Sequence, residues 1–147
     1  MKKFKFELEK ILEFRDFEKK QAEGELAKAL AVETEIQDNL KEIANQYATL
    51  DKYMNGSLSF DDMISMSQNK NLLNYQKEEL LKQLAEAKLV SEQKRKILAE
   101  CMKKTSALEK MKEIQLAQYK EEVKRAENKR LQEIAASKIS SEISAST

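Results

Sequence analysis

Apolar side chains in the first third of this chain recur at alternating steps of four and three. The positions are Leu8, Leu12, Arg15, Lys19, Ala22, Leu26, Ala29, Glu33, Ile36, Leu40, Ile43, Tyr47, Leu50 and Met54. Eleven of the fourteen are apolar or Ala; Arg15, Lys19 and Glu33 are the exceptions. A repeat of about 3.5 residues sustained this long makes a left-handed coiled-coil seam. It predicts one helix over about 5–54, roughly 70 Å long at about 1.5 Å per residue. Gly24 interrupts it at about 1 kcal/mol relative to Ala. It reads as a tolerated surface glycine or, more sharply, as a place where a partner comes close.

The pattern stops at Asn55-Gly56-Ser57-Leu58-Ser59. Asn-Gly is a strong turn pair, and glycine is permissive of backbone conformations other residues avoid. Ser59 is placed as an N-cap, with Asp62 as its capping-box partner and Asp61 favouring the same positive helix end. Leu58 before the cap and Met63 at the fourth helical position suit a hydrophobic staple. A second helix over about 60–136 is therefore expected to fold back antiparallel. Ser65, Ser67, Asn69, Asn71 and Asn74 are poor helix formers, which leaves a kink or break over 65–74 open.

The second seam runs Leu73, Lys77, Leu80, Leu84, Ala87, Ser91, Lys94, Leu98, Cys101, Thr105 and Leu108. In an antiparallel hairpin, facing residue numbers have a constant total. Pairing Leu40 with Leu73 sets it at 113, centred on the turn, and then opposes Leu50 to Met63, Tyr47 to Met66, Ala29 to Leu84, Leu26 to Ala87 and Leu12 to Cys101. Lys19 would face Lys94, so both would have to snorkel outward. On this register the first helix runs out near residue 110. The stripe then changes phase to Leu116, Tyr119, Val123, Ala126 and Arg130, a stutter in the repeat. The expected fold is all-α: a two-helix antiparallel coiled-coil hairpin over 1–136, with a C-terminal helical overhang of roughly 40 Å. The Ser- and Ala-rich tail 137–147 is expected to fray.

Composition supports this picture. Ala, Leu, Glu, Lys and Arg supply 80 of 147 residues, and the chain has no Pro, no Trp, no His and two Gly. That is the vocabulary of long helices, in which apolar surface is buried along a seam. A formal net charge of +1 makes no general case for nucleic acid or membrane. From Lys94 to Arg130, however, twelve Lys and Arg meet six Glu, so the overhang is locally basic. The lone Cys101 forms no intramolecular disulfide and fits a reducing compartment. The N-terminus lacks the apolar core of a signal peptide, and no run approaches the ~18 apolar residues of a membrane span. The expectation is a cytoplasmic protein.

No catalytic constellation is visible. The chain has no His for acid–base or metal chemistry and no glycine-rich phosphate loop, and Cys101 has no His base to activate it. The reading is a non-enzyme without cofactor or metal. Three surfaces stand out instead. Tyr47, Leu50, Tyr53, Met54, Phe60, Met63, Met66, Leu72 and Tyr75 gather at the turn end, rich in interface-prone Tyr and adaptable Met. The second is the N-terminus, where Phe4, Phe6 and Phe14 or Phe17 are more aromatics than one seam hides. The third is the basic overhang.

The two ends carry a resemblance. Phe4-Lys5-Phe6-Glu7-Leu8-Glu9-Lys10-Ile11-Leu12-Glu13-Phe14-Arg15 resembles the opening of the flagellar type III export protein FliJ family, with its F-x-F-x-L-x-x-[IVL]-L-x-x-R run. Glu127-Asn128-Lys129-Arg130-Leu131-Gln132-Glu133-Ile134-Ala135 is similar to that family's E-x-K-x-x-D-E-x-A close, with Gln132 where Asp is usual. The resemblance implies a non-enzymatic antiparallel coiled-coil stalk, held at the cytoplasmic face of the inner membrane through the export apparatus. Its open end would enter the hexameric flagellar export ATPase and promote ring assembly. Another surface would bind the cytoplasmic domain of the export gate, and the stalk could also escort export chaperones. Applied to this chain, the ring-facing candidates are Phe4, Phe6, Leu8, Arg15, Lys120, Arg125, Lys129 and Arg130. The gate-facing candidates are Tyr47, Leu50, Tyr53, Leu72 and Tyr75. A stalk of this kind is expected to be a monomer that binds no nucleic acid and meets the membrane only through partners. The competing readings are the stalk of a virulence-type secretion system, a homo-oligomeric coiled coil, and a nucleic-acid binder. The six Glu of the basic stretch argue against the last.

Overall fold

The computed structural model describes residues 2–56 and 58–146. Two α-helices, α1 (Glu9–Met54) and α2 (Phe60–Ser146), account for nearly all of them and pack against each other. The chain divides into two compact units. One comprises Glu18–Cys101; the other comprises Met1–Phe17 with Met102–Thr147.

Within Glu18–Cys101 the helices are antiparallel, and the seam follows the expected heptads. Ala22, Ala29, Ile36 and Ile43 are buried at every seventh residue of α1, with Leu26, Glu33, Leu40 and Tyr47 half-buried between them. On α2, Leu73, Ala87 and Ser91 are buried and Leu80, Leu84, Lys94, Leu98 and Cys101 half-buried; Lys77 is exposed. Alanine at the seam lets the two backbones approach, but it contributes little apolar area. Polar contacts therefore have weight here. The Ser91 hydroxyl donates to the Glu33 carboxylate and to the Lys88 carbonyl at 3.1 Å. Lys70 pairs with Asp51, and Lys94 lies 4.0 Å from Glu25.

These contacts correct the register. Their residue numbers total 119 to 124, about one heptad above the expected 113. A seven-residue slide leaves every seam position facing a seam position, so hydrophobic pattern alone does not choose between the two. Charge does. The observed register brings Lys94 to Glu25 and spares it the opposition to Lys19 that the lower total implies.

The slide also changes the turn end. From the Asp51–Lys70 level, α1 continues three residues to Met54 while α2 continues ten to Phe60. At ~1.5 Å per residue, α2 overtops α1 by roughly 10 Å. Its first turns consequently lie open, with Phe60 75%, Met63 49% and Ile64 43% exposed. Ser59 caps α2 as expected: its hydroxyl accepts from the Asp62 N–H at 3.2 Å, and its carbonyl from the Met63 N–H at 3.1 Å. Leu58 is half-buried. The Gly56 N–H donates to the Tyr53 carbonyl at 3.2 Å, but Gly56 has no positive φ, so the turn does not use its left-handed freedom. Ser57, in the middle of the expected turn, lies outside the described residues.

The break left open over 65–74 is absent: α2 is continuous there. Propensity penalties of a few tenths of a kcal/mol per residue are offset by burial of Leu73, partial burial of Met66 and Lys70, and the pair to Asp51.

In the other unit, residues 2–8 precede the helix, which starts at Glu9 rather than near residue 5. The Glu9 N–H reaches back to the Phe6 carbonyl at 3.2 Å. This leading segment runs beside α2. The Tyr119 hydroxyl donates to the Lys2 carbonyl at 2.5 Å, and the Phe4 and Tyr119 rings lie 5.6 Å apart. Further along, Lys112 bridges to Glu9 at 2.8 Å, and the Thr105 hydroxyl, 2% exposed, donates to the Arg15 carbonyl at 3.2 Å. Partnered packing on α2 thus extends to Val123, not to about residue 110. Beyond it, Lys124 to Ser146 is helical, the expected frayed tail included, and every residue there is exposed.

A Cβ built on Gly24 meets nothing within 4 Å. The surface-glycine reading therefore fits, and Gly24→Ala should raise unfolding stability by about 1 kcal/mol in urea titrations. Ser59→Ala should lower it by about 1 kcal/mol through loss of the cap.

Candidate functional site

The candidate ring-facing residues divide into two kinds. Phe6 is 5% exposed, and Phe4, Leu8 and Arg15 are half-buried. Three of them make contacts within the unit Met1–Phe17 with Met102–Thr147: Phe4 against Tyr119, Arg15 through its carbonyl to Thr105, and Phe6 under a groove edged by Glu9, Lys10, Glu13 and Lys112. The other four, Lys120, Arg125, Lys129 and Arg130, are exposed. At roughly 100° per residue, Arg125 and Lys129 share a face of α2, while Arg130 and Lys120 lie on other parts of its circumference. The basic character therefore wraps the helix instead of forming one patch.

Four large apolar residues lie on the same helix, Leu131 and Ile134 within the closing motif and Ile139 and Ile143 in the tail that was expected to fray. Leu131, Ile134, Ile139 and Ile143 are 63%, 52%, 57% and 61% exposed. With Ala135 they follow near-fourfold spacing and make an apolar stripe on a helix whose side chains have no seam to enter. For Ile139 and Ile143 the signal was present in the sequence, but the Ser-rich composition around 137–147 outweighed it. Phe14 and Phe17, at 55% and 56%, are exposed as the surplus of aromatics at this end implied.

The candidate gate-facing residues are not one patch either. Leu50 and Leu72 line a shared groove with Gln46, Thr49, Asn69 and Gln76, and Tyr75 lines the next groove along with Gln46 and Gln76. These three make a continuous surface. Tyr47 lies in a different groove, with Leu40, Ile43, Ala44, Asn74, Lys77 and Leu81. The Lys70 ammonium sits 4.9 Å from the centre of the Tyr47 ring. Its hydrogen bond to Asp51 holds the Lys70 pKa above the ordinary value against the opposing effect of burial, so it stays charged across the physiological range. Tyr53, 62% exposed, belongs with Phe60, Met63 and Ile64 at the turn end. Ile64 is the member that the sequence reading did not include.

Among the described residues, no group of three or more His, Cys, Asp or Glu could hold a metal ion, and no helix is long and apolar enough to cross a membrane. Cys101 is a half-buried thiol in no disulfide, beside Glu18, Ala22 and Ile97. Large apolar side chains are exposed both in the first turns of α2 and beyond Val123, and the latter stretch also carries exposed cations. A family model described as "Flagellar FliJ protein" matches residues 4–143. No curated protein and no solved structure matches the chain.

The packing makes a contrast that unfolding measurements can read. Phe6→Ala should cost roughly 3 kcal/mol, as a buried aromatic does, whereas Phe14→Ala should cost within about 0.5 kcal/mol.

Proposed function

Because the chain belongs to the flagellar FliJ protein family, we propose that it is the stalk of the flagellar type III export apparatus, coupling the export ATPase to the export gate. Membership makes it a flagellar, export-related protein of a non-catalytic, structural kind. The finer role is our reading. One observation carries it: Lys124 to Ser146 is a fully exposed helix with four large apolar side chains and a surrounding set of cations. A helix of this composition is suited to a socket that is apolar in places and acidic in others.

In this reading the exposed helix enters the hexameric ATPase and promotes ring assembly. Lys120, Arg125, Lys129 and Arg130 meet its acidic surface, and Leu131, Ile134, Ile139 and Ile143 meet its apolar lining. Phe4, Phe6, Leu8 and Arg15 act indirectly, by fixing the end from which the helix emerges. The surface of Leu50, Leu72 and Tyr75, with Tyr53 beyond it, engages the cytoplasmic domain of the gate. The same turn-end surface is where export chaperones would be escorted. The protein then works in the cytoplasm, at the inner face of the membrane through its partners. The exposed stripe also favours a second reading, in which it pairs with another copy of this chain. Sedimentation separates the two, since a stalk stays monomeric at micromolar concentration.

The charge-reversed variant Arg125→Glu/Lys129→Glu/Arg130→Glu should keep the helical circular dichroism of the parent and lose stimulation of the export ATPase. Stimulation equal to the parent's would remove the cations from the ring contact.

A further inference from the structure

The register within Glu18–Cys101 is one of a discrete set. Because both seams repeat every seven residues, a slide of α2 along α1 restores seam-to-seam facing only in whole heptads, each about 10 Å. The register described here totals about 120. The next higher would carry the start of α2 a further ~10 Å past Met54. Added to the overtopping already present and the ~9 Å between helix axes, that exceeds the ~20 Å spanned by the link from Met54 to Phe60. The next lower, 113, needs less reach and is open.

The two permitted registers are closely matched in apolar facing. At 120, Tyr47 lies across from Leu73, Leu40 from Leu80 and Ile36 from Leu84, but Leu26 lies across from Lys94 and Leu50 from Lys70. At 113, Leu26 gains Ala87, Leu40 gains Leu73, and Leu50 and Tyr47 gain Met63 and Met66. Met63 is 49% exposed in the present register, beside Phe60 at 75% and Ile64 at 43%. The lower register brings this part of α2 down onto α1. Against it stand three polar pairs in this unit, Glu33 with Ser91, Asp51 with Lys70, and Glu25 with Lys94, and, because both helices are continuous, the contacts of Thr105 with the Arg15 carbonyl, Lys112 with Glu9 and Tyr119 with the Lys2 carbonyl in the other. All of them break at 113, where Lys19 and Lys94 are opposed.

We infer that the hairpin over Glu18–Cys101 has two registers one heptad apart, latched in the upper one by these polar contacts. In the lower one, the exposed apolar turns of α2 next to the turn are withdrawn onto α1. The device makes exposure of Phe60, Met63 and Ile64 switchable. A partner that grips them holds the upper register, and loss of the latches favours the lower. The inference does not depend on which partner that is.

Cysteine pairs in the full-length chain, with Cys101→Ala, test it. A disulfide needs Cα atoms within about 7 Å, less than one heptad of slide. Ile36→Cys with Leu84→Cys reports the upper register, and Ala29→Cys with Leu84→Cys the lower. Val32→Cys with Leu84→Cys faces in neither. Under a glutathione buffer, the first pair should close fastest and the second more slowly but to completion, both as monomers on a non-reducing gel. The third should stay open. Adding Glu33→Ala and Asp51→Ala should speed closure of the Ala29/Leu84 pair severalfold without speeding the Ile36/Leu84 pair. The closed Ala29/Leu84 form should keep its helical circular dichroism and bind less of a hydrophobic dye than the closed Ile36/Leu84 form. Failure of Ala29/Leu84 to close while Ile36/Leu84 closes would overturn the proposal. So would closure of the Val32/Leu84 control at the Ala29/Leu84 rate, since closure would then report unfolding.

Discussion

A hairpin of two helices has one shared seam, and in this chain that seam is narrow and partly filled by small or polar side chains. Of the buried α1 positions, two are Ala, and on α2 Ser91 and Thr105 occupy places a stronger core would give to Leu. Burial of this kind favours packing two helices together but discriminates weakly between alignments. The discrimination falls to a few polar contacts, each of modest worth alone. Ser91 on Glu33, Lys70 on Asp51 and Lys94 on Glu25 decide where α2 stops along α1, and from that stopping point the exposure at the turn end follows. In the other unit, Tyr119 on the Lys2 carbonyl holds the leading segment to α2, and Lys112 on Glu9 ties the start of α1 to it.

Much of this was legible in the residues. The alternation of four and three gave the seam almost position by position, down to the partial burial of Arg15, Lys19 and Glu33. Ser59 was readable as a cap because its hydroxyl has a fixed reach to the third helical N–H. The register was not readable. A repeat of seven is blind to a shift of seven, and the total of 113 centred neatly on a turn that was assumed to be tight. The poor helix formers at 65–74 left a break open and those at 137–147 pointed to a frayed tail; α2 runs through both stretches, because local propensity is small beside continuity with a packed helix.

The candidate site was legible as a list of types and not as a surface. Aromatics near the N-terminus suggested exposure, yet Phe6 is buried and Phe4 stacks on Tyr119, while Phe14 and Phe17 point outward. A heptad frame does not extend through residues 2–8, which are not helical, so their side chains follow no seam rule. At the turn end, Tyr47 and Leu50 were grouped by sequence proximity, but the grooves put them on different sides of the hairpin. The apolar stripe from Leu131 to Ile143 became visible only once the helix was seen to continue through it.

The lone stretch of α2 after Val123 inherits its helical state from the packed turns before it. An isolated segment of this size, about 23 residues with Ser and Asn among them, is marginal in water because starting a helix is the unfavourable step. Here the start is already made, and each further residue needs only to propagate it. Warming should therefore peel the helix back from Ser146 in small increments. A sloping loss of ellipticity would then precede the cooperative melt, and a socket closing around the stretch would flatten that slope.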